Sequence, residues 1–467
     1  MPACLSGVDV LARAKTGTGK TLGFLIPSIE RLARTPGGVQ SGAVHVLVLS
    51  PTRELALQIA KEAAALLTHH SGLGVQCVYG GTNMRSEQTR LGSSRCDVLV
   101  ATPGRLVDHI QNTLGLVQRL SHVRVFVMDE ADQLLDMGFK DAVDTICGAL
   151  PAGRQTLLFS ATVPPSVRGI AQKALRRDHV FVDTVGDDSP HTAAQVKQCY
   201  VVAPFEGQIP MLVHLVRAAA VTDGHKVLCF FPTARQAQFH AELLNAMGTP
   251  VLEIHSRMSQ AQRERASAAF RAARNAIMMS SDVSARGVDY PDVSAVIQVG
   301  APSDRSQYIH RVGRTARAGK AGDGMLLLAP HEAQHTLAEL RDLPLVQLEA
   351  PPPAQHLLTD VARGLAHVDS KSSAQCYGAW LGLHNGMLRK LGWSKEELVQ
   401  WANAYGRTLG LASPPALPAK TVGKMGLRGV AGLVVEKGPS GSGGGGGGGR
   451  GGGRGAGGGR GQRPGAF

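Results

Sequence analysis

Paired cysteines and long apolar runs are both missing from this sequence of 467 residues. Its seven cysteines show no CxxC spacing and several stand in apolar runs, which predicts buried thiols in a reducing, intracellular compartment. No apolar run reaches the roughly 18 residues that a membrane span needs, so we expect no membrane association. Residues 1–7 are too short for a signal or transit peptide, which leaves mitochondrion, chloroplast, nucleus, nucleolus and cytoplasm open as compartments.

Acidic residues are scarce relative to basic ones, with 36 Asp and Glu against 49 Lys and Arg, and the formal net charge is +13. Residues 437–467 contain no acid and five cations, which are Lys437, Arg450, Arg454, Arg460 and Arg463. The other +8 belongs to residues 1–436. A solvated basic surface would explain this charge, but so would a polyanionic partner such as nucleic acid.

Apolar, β-rich runs alternate with helical stretches, which predicts an α/β fold with two tandem parallel-sheet domains. The runs lie at residues 44–50, 74–79, 97–101, 123–129, 156–160, 197–202, 226–231, 250–254, 276–280, 295–299 and 324–329. A polar stretch without apolar periodicity separates the two series. We therefore predict a first domain at 1–185, a linker at 186–194 and a second domain at 195–345.

The strand signals fade after Pro330, and a mostly helical extension is predicted at 346–437. Ser394 and Glu397 have the spacing of a capping box, and Trp401 and Tyr405 recur at helical spacing, which is typical of core positions. Residues 438–467 are almost only glycine with spaced arginines. Such a composition cannot bury enough surface to fold, so we predict a disordered cationic tail that tethers RNA.

A glycine-rich run near the start has the pattern of a phosphate-binding loop, A-x-x-x-x-G-K-T, with alanine where the general pattern has glycine. Its eight residues are Ala14, Lys15, Thr16, Gly17, Thr18, Gly19, Lys20 and Thr21. The glycines let the backbone approach phosphates, the lysine neutralises phosphate oxygens, and the Thr21 hydroxyl is a ligand for magnesium. A structural glycine turn before a helix is the alternative interpretation.

Two acids, Asp129 and Glu130, come directly after the apolar run at 123–128. An unpaired carboxylate at the end of a buried strand is costly, so a cation is expected at Asp129, and magnesium is the simplest one. Glu130 is then the candidate that positions or activates the attacking water, while Asp132 is expected to bridge neighbouring loops. A solvated acid cluster at a helix start is the alternative.

Basic residues cluster again at 310–317, where Arg311, Arg314 and Arg317 are spaced by three. This spacing predicts one helical face, and Arg314 and Arg317 are candidates for arginine fingers from the second domain. The first domain has no obvious finger of its own. A basic, solvated helix is the alternative.

With these motifs in place, residues 8–330 resemble the DEAD-box RNA helicases. The matching segments, in family order, are Asp129-Glu-Ala-Asp132, the phosphate loop and residues 51–56, 80–81, 102–105, 160–162, 260–263, 281–282, 285–289 and 310–317. The resemblance implies two RecA-like domains with ATP and magnesium in the cleft between them, and it implies an RNA-stimulated ATP hydrolase that clamps RNA and separates short duplexes.

The resemblance also implies roles for single residues. Lys20, Glu130, Arg314 and Arg317 would act in hydrolysis, Thr21 and Asp129 would hold magnesium, partly through water, and Gly287 and Asp289 would bind the nucleotide. The implied RNA contacts are Pro51, Thr52, Arg53, Gly81, Thr102, Arg105, Arg263, Ser281 and Asp282. Ser160, Thr162, Asp132 and His310 would couple hydrolysis to strand separation, although Ser160 and Thr162 also fit a packing or capping role.

The expected partner is RNA, single-stranded or in short duplexes, bound with little sequence specificity because phosphates and sugar hydroxyls are contacted; we expect a monomer. The glutamine-containing adenine motif of the family is not found in residues 1–10, so we expect either a truncated sequence or a core with impaired ATPase activity. In the latter case the protein would be an ATP-independent RNA-binding or annealing protein. Residues 160–164, 286–293 and the extension resemble the organellar branch of plants, algae and fungi, which acts as general RNA chaperones.

Overall fold

The computed structural model describes residues 1–14, 18–70, 72–185, 196–282, 290–317 and 320–436. The predicted linker at 186–194 and tail at 438–467 lie outside these ranges. We call the described residues of 1–185 the first unit, those of 196–347 the second unit, and 348–436 the extension. Of the helices described, none combines the length and apolar character that a membrane crossing requires.

The first unit is a seven-stranded parallel sheet in the order β3-β4-β2-β5-β6-β1-β7. Its strands are β1 Val10–Arg13, β2 Val46–Leu49, β3 Val75–Val78, β4 Val98–Ala101, β5 Val125–Met128, β6 Gln155–Ser160 and β7 Val180–Asp183. Its helices are α1 Pro2–Leu5, α2 Lys20–Ala33, α3 Arg53–Leu66, α4 Met84–Ser93, α5 Pro103–Asn112, α6 Leu116–Leu120, α7 Ala131–Asp136, α8 Lys140–Gly148 and α9 Pro165–Ala174, with a 3-10 turn at Leu67–His69. The central strands β2, β4 and β5 are buried along their whole length, as expected for strands covered by helices on both faces.

The second unit is another seven-stranded parallel sheet, in the order β10-β11-β9-β12-β13-β8-β14. Its strands are β8 Lys197–Val202, β9 Lys226–Phe230, β10 Leu252–Ile254, β11 Ala276–Ser280, β12 Ala295–Val299, β13 Asp323–Leu328 and β14 Leu345–Gln347. Its helices are α10 Phe205–Ala219, α11 Ala234–Ala246, α12 Gln260–Ala272, α13 Arg305–Val312 and α14 Pro330–Glu339. The two parallel-sheet domains that the sequence predicted are therefore confirmed.

Three strands of the two sheets, β1, β7 and β14, are absent from the expected strand runs. Strand β1 is a short interior strand between β6 and β7, whereas β7 and β14 lie at sheet edges and are mostly exposed. Strand β14 pairs in parallel with β8, so strands continue past Pro330, where the sequence signal fades. A short exposed strand gives little pattern to detect because one of its sides faces water.

The extension is mostly helical and shares one hydrophobic core with the second unit. Its elements are α15 Gln355–Leu365, α16 Ser370–Asn385, α17 Leu388–Leu391, α18 Lys395–Thr408, β15 Ala416–Leu417, α19 Ala419–Lys424 and β16 Val434–Val435. The predicted capping box of Ser394 and Glu397 starts α18. Tyr405 is buried, but Trp401 is 41% exposed, so the prediction that Trp401 belongs to the core is wrong. Its ring stacks on Trp393, with 5.8 Å between centroids, at the rim of the aromatic cluster.

Candidate active site and nucleic-acid interface

The phosphate loop connects β1 to α2. Its first residue, Ala14, donates its backbone N–H to the Ser160 carbonyl at 3.0 Å, and Gly19 caps the helix with a φ of 83°, which glycine adopts without strain. The first turn of α2 contains no acid, so its free N–H groups and helix dipole favour an anion. Lys15, Thr16 and Gly17 lie outside the described residues.

Lys20 and Glu130 form an ion pair beside that helix start, with 2.8 Å between Lys20 Nζ and Glu130 Oε1. Both residues are buried. Burial raises the pKa of Glu130, but the Lys20 ammonium, its hydrogen bond and the nearby His310 together hold this pKa below its ordinary value. Glu130 is thus a charged carboxylate, and its Oε2 atom receives no hydrogen bond from any described residue. A water or a cation would satisfy this atom.

Asp129 ends the buried strand β5, and its Oδ1 atom accepts the backbone N–H of Glu130 at 3.0 Å. Burial raises the pKa of Asp129 to about 7, and the structure shows no ion pair to it within the described ranges. The backbone of Glu130 has a φ of 50°, a left-handed conformation that is costly for a residue with a side chain. This strain turns both carboxylates to the same end of the sheet, where α7 begins.

Asp132 lies at the centre of a network that joins the two units. Its Oδ2 atom accepts hydrogen bonds from the Thr162 hydroxyl at 2.8 Å and the Thr162 N–H at 3.2 Å, and its own N–H donates to Ser160 Oγ at 3.2 Å. His310 Nε2 of the second unit lies 3.6 Å from the same Oδ2 atom. The structure therefore brings together all four residues for which the sequence predicted a coupling role.

The arginines that follow His310 are not arranged as predicted. Helix α13 ends at Val312, so Arg314 and Arg317 lie in the turn beyond it, not on one helical face. Gly313 ends the helix, and Ala316 has a φ of 51°, which breaks the helical path. Arg314 Nε donates to the His310 carbonyl at 3.1 Å, and Arg317 Nε donates to the Gly313 carbonyl at 3.0 Å. Backbone carbonyls, not helix periodicity, hold these side chains.

Arg314 and Arg317 both line a cleft of about 580 Å³ in the second unit, together with Arg271, Arg274 and Lys320. Arg311 differs from them. It is fully buried, its Nε atom donates to Asp282 Oδ1 at 2.7 Å, and its guanidinium lies 5.6 Å from the centroid of the Phe230 ring. Arg311 therefore anchors α13 to the loop after β11.

The residues after β2 present a polar surface at the start of α3. Thr52 caps this helix by accepting the Leu55 N–H at 3.3 Å, and Pro51 precedes it. The guanidinium of Arg53 lies against Gly81, which has a φ of 90°, and a Cβ at this glycine would collide with it. The positive φ favours glycine at position 81 even if the Arg53 side chain shifts.

Arg105 and Thr102 stand at the start of α5, next to this surface. Arg105 Nη2 donates to the Thr82 carbonyl at 2.9 Å, and its Nη1 lies 3.3 Å from Glu87 Oε2. Glu87 also accepts His109 Nε2 at 2.9 Å. Thr102 occupies the cap position but its side chain makes no capping bond, so its hydroxyl is available for a ligand.

Side chains of α12 in the second unit contact α3 and the residue after β3 in the first unit. Arg263 Nη1 lies 2.8 Å from Glu54 Oε1, and both side chains are buried. The Tyr79 hydroxyl donates to Glu264 Oε1 at 3.2 Å, and Gln260 Nε2 donates to Glu54 Oε1 at 3.5 Å. Because both units contribute to this interface, a substrate that lies along it would contact both.

A cleft of about 400 Å³ opens beside this interface and is lined by both units. Thr52 and Gln133 come from the first unit, and Ser281, Asp282 and Gln307 come from the second. Three predicted RNA contacts therefore meet in one cleft. Gly287 and Asp289 lie outside the described residues.

Sequence reasoning did not identify Glu54, Tyr79 and Glu264 as interface residues. Arg263 and Glu264 stand three and four residues after Gln260 in α12, so a polar face was visible in the sequence. Its partner in the first unit was not, since helix periodicity says nothing about distant contacts.

Comparison with known proteins shows which family this sequence resembles. The profile of the DEAD/DEAH box helicase family matches residues 1–170, and that of the helicase conserved C-terminal domain matches residues 207–319. DEAD-box ATP-dependent RNA helicase 25 of Arabidopsis thaliana is 47% identical over 94% of this chain and 78% of its own length. DEAD-box ATP-dependent RNA helicase 31 of the same plant is also 47% identical, over 93% of this chain and 61% of its own length.

Comparison with solved structures also finds a similar protein. The structure of Mss116p, with its NTE and C-tail deleted, bound to ssRNA and AMP-PNP, matches with a TM-score of 0.80 and 29% identity. The match covers 92% of this chain and 88% of that one, so it includes the extension as well as the two sheets.

Proposed function

The chain belongs to the DEAD-box family of ATP-dependent RNA helicases, and from this membership we propose that it binds and hydrolyses ATP between its two units to clamp single-stranded RNA and separate short duplexes. The observation that carries the proposal is the contact of Asp132 with His310, because it links the acids of the first unit to the arginine-bearing turn of the second.

ATP binding would use the start of α2 and Lys20. The N–H groups of the first helical turn would bind the anionic phosphates, and the ammonium of Lys20 has three donors, of which one goes to Glu130. Lys20 can therefore bond phosphate oxygens while it holds the carboxylate of Glu130. This arrangement fixes the catalytic acid relative to the terminal phosphate.

Magnesium would be held by Thr21 and Asp129, partly through water. The residues fit the ion because Asp129 is a buried carboxylate without an ion pair to a described residue, and the Oε2 atom of Glu130 beside it is an unsatisfied acceptor. Carboxylate, hydroxyl and water oxygens are the ligands that magnesium prefers. When bound, the ion would neutralise charge on the phosphate oxygens.

Hydrolysis would use Glu130 to orient or deprotonate the attacking water. Its lowered pKa makes it a charged acceptor, and its strained backbone fixes the direction of the side chain. Arg314 and Arg317 would supply positive charge to the phosphoryl group in the transition state. The carbonyls of His310 and Gly313 position these guanidinium groups.

RNA would lie across the two units along the cleft lined by Thr52, Ser281 and Asp282. The hydroxyl groups of this cleft suit ribose hydroxyls, and the guanidinium groups of Arg53, Arg105 and Arg263 outside it suit phosphates, so that RNA would be recognised without reading its bases. Pro51, Arg53, Gly81, Thr102, Arg105 and Arg263 would extend this surface. The net positive charge of the chain favours the same partner.

The ATP-independent alternative is not favoured. Both helicase family profiles match the chain, and the Mss116p structure that it resembles was solved with an ATP analogue and ssRNA.

The test is Glu130→Gln, which keeps an acceptor for Lys20 but removes the negative charge. ATP turnover in saturating RNA should fall by about 10²- to 10⁴-fold, the range typical of a catalytic base. RNA affinity in the presence of AMP-PNP, measured by fluorescence anisotropy, should remain near that of the parent. Asp144→Asn, an exposed acid of the same unit that pairs with Lys173, serves as the control.

Unchanged turnover in Glu130→Gln would contradict the catalytic role of Glu130. A parent protein that neither hydrolyses ATP faster with RNA nor separates a short duplex would contradict the proposed function as a whole.

A further inference from the structure

Two histidines and a glutamate converge where the extension meets the second unit. His331 and Glu332 belong to the first turn of α14, and His384 belongs to the last turn of α16. One ligand atom from each of the three lies within 4.8 Å of the others, the one such group that the described ranges contain. None of these residues takes part in the site proposed for ATP or RNA.

The hydrogen bonding of His384 fixes which nitrogen carries its proton. Nδ1 lies 3.0 Å from the carbonyl oxygen of Trp380, which can only accept, so Nδ1 carries the hydrogen and Nε2 has a bare lone pair. Nε2 is buried and finds no hydrogen-bond partner within the described residues, and His384 is only 1% exposed. A metal-bound histidine is ordinarily held in this way by its second nitrogen.

The carboxylate of Glu332 is oriented by two backbone N–H groups. Oε1 accepts from Ala301 at 3.1 Å and Oε2 accepts from Ala329 at 2.9 Å. Each oxygen has a second lone pair, and Oε1 lies 3.9 Å from His384 Nε2, which is too far for a hydrogen bond. A carboxyl oxygen and an imidazole nitrogen therefore face each other in a buried space without a hydrogen bond between them, and a cation between them would bind both.

His331 adds a third donor on the same side. Its Nε2 atom is also buried without a hydrogen-bond partner among the described residues.

We propose that His331, Glu332 and His384 bind one Zn²⁺ ion, which fastens the extension to the second unit. Two imidazoles and a carboxylate form a donor set that zinc accepts, with a fourth position for water. Zinc–ligand bonds of about 2.0–2.2 Å place ligand atoms roughly 3.3–3.6 Å apart in a tetrahedron, so the 3.9 Å separation needs only a small contraction. Calcium and magnesium would require more oxygen ligands.

Aromatic packing alone is the competing explanation. The His384 ring stacks on Trp380 with centroids 3.8 Å apart, and the His331 ring lies 4.9 Å from that of Trp393. Stacking explains why aromatic rings occupy these two positions, but any aromatic residue could stack in the same way. It does not explain why two buried imidazole nitrogens without hydrogen-bond partners lie close to this carboxylate.

The experiment uses the full chain, stripped of metal with a chelator and titrated with Co²⁺ as a spectroscopic substitute for zinc. We expect one equivalent of Co²⁺ to give the visible absorption of a tetrahedral nitrogen and oxygen site, Zn²⁺ to displace it, and Zn²⁺ to raise the melting temperature. His384→Phe keeps the stacking but removes the ligand, and it should weaken Co²⁺ binding at least 10-fold and abolish the Zn²⁺ shift. Glu332→Gln should weaken binding too, and it covers the case in which His384→Phe does not fold.

The matched control is His335→Gln, one turn further along α14, where the partly exposed His335 pairs with Glu339. It should bind Co²⁺ as the parent does. The proposal is overturned if the parent shows no tetrahedral absorption, or if His384→Phe and Glu332→Gln bind as tightly as the parent, which would mean aromatic packing only. Near-ultraviolet bands of cobalt–sulfur bonds would overturn it as well, since they would place the metal on the cysteines.

Discussion

The two sheets have the same strand order, 3-4-2-5-6-1-7, when each is numbered from its own first strand, yet equivalent loops hold different residues. After the first strand, the first unit continues into Gly19 and Lys20 at an open helix start, whereas the second unit continues into Pro204 and Phe205. Phe205 packs edge-on against Trp380 of the extension, with 5.7 Å between centroids. The position that suits a phosphate in one unit is thus filled by an aromatic contact in the other.

The fifth strands differ in the same way. Strand β5 ends in Asp129 and Glu130, whereas β12 is followed by Gly300 and Ala301, whose N–H is bonded to Glu332. The fold alone therefore does not determine the chemistry; loop residues at the carboxyl ends of the strands do. In the proposed mechanism catalysis would need both units, because the first would supply acids and a lysine and the second would supply arginines.

Removal of the second unit's arginines should have the largest effect. Arg314→Ala and Arg317→Ala should each lower single-turnover ATP hydrolysis by roughly 10³-fold or more, because an arginine finger offsets charge that develops on the phosphoryl group. ATP affinity should change much less. Arg274→Ala is the control, since Arg274 lines the same cleft but is exposed and pairs with Asp223. Parent-like hydrolysis by both variants would mean that the second unit contributes no catalytic charge.

Lowering the pH should reduce the stability of the second unit through its buried histidine, His240. His240 of the second unit is buried against Phe231, and burial lowers its pKa to about 4, whereas His109 of the first unit faces the carboxylate of Glu87. Unfolded His240 takes up a proton near pH 6.5 and the folded residue does not, so its contribution to stability is full above pH 6.5 and is lost as the pH falls to 4. The loss amounts to about 3 kcal/mol.

The measurement is urea unfolding followed by tryptophan fluorescence, which reports on the extension and the second unit because all three tryptophans lie in the extension. The difference in unfolding free energy between the parent and His240→Leu should shrink between pH 7 and pH 4.5. His214→Leu, at an exposed position of α10, should leave a constant difference. A constant difference for His240→Leu as well would show that this histidine is not held neutral.

Much of the fold could be predicted from the sequence because buried parallel strands are apolar along their whole length. The central strands β2, β4 and β5 were recognised for this reason, whereas the exposed edge strands β7 and β14 were not. The acids and the phosphate loop were also recognisable, since each motif is local. Membership of the organellar branch remains a prediction.

The rest of the site depends on contacts between distant segments. Arg314 and Arg317 have helical spacing, but the helix ends at Gly313, and the left-handed Ala316 lies between the two arginines. Glu54 could not be paired with Arg263 from the sequence, because the pairing follows from how two separate helices meet. The same is true of His384 and Glu332.

The next largest effect is expected at the ion pair between α3 and α12, which joins the two units but contains no catalytic group. Glu54→Gln leaves Arg263 buried without its carboxylate, and truncation of one partner in such a pair costs about 2 kcal/mol or more across an interface. The gain in RNA affinity that AMP-PNP produces should therefore fall by roughly 10- to 100-fold in anisotropy measurements. Glu30→Gln, which breaks an exposed pair with Arg34, is the control and should leave the gain unchanged. An equal loss in the control would attribute the effect to net charge alone.

The smallest effect is expected at Tyr79, whose hydroxyl donates to Glu264 at 3.2 Å at the exposed edge of the same interface. Tyr79→Phe removes this hydrogen bond but keeps the ring, and a hydrogen bond of this kind contributes about 0.5–1.5 kcal/mol, with the lower end expected in water. The gain in RNA affinity with AMP-PNP should fall by only about two- to five-fold, and ATP turnover at saturating RNA should not change. If the variant in fact loses as much affinity as Glu54→Gln, the exposed edge would hold the units together as strongly as the buried pair does. The expectation that the buried ion pair contributes more than the exposed hydrogen bond would then be wrong.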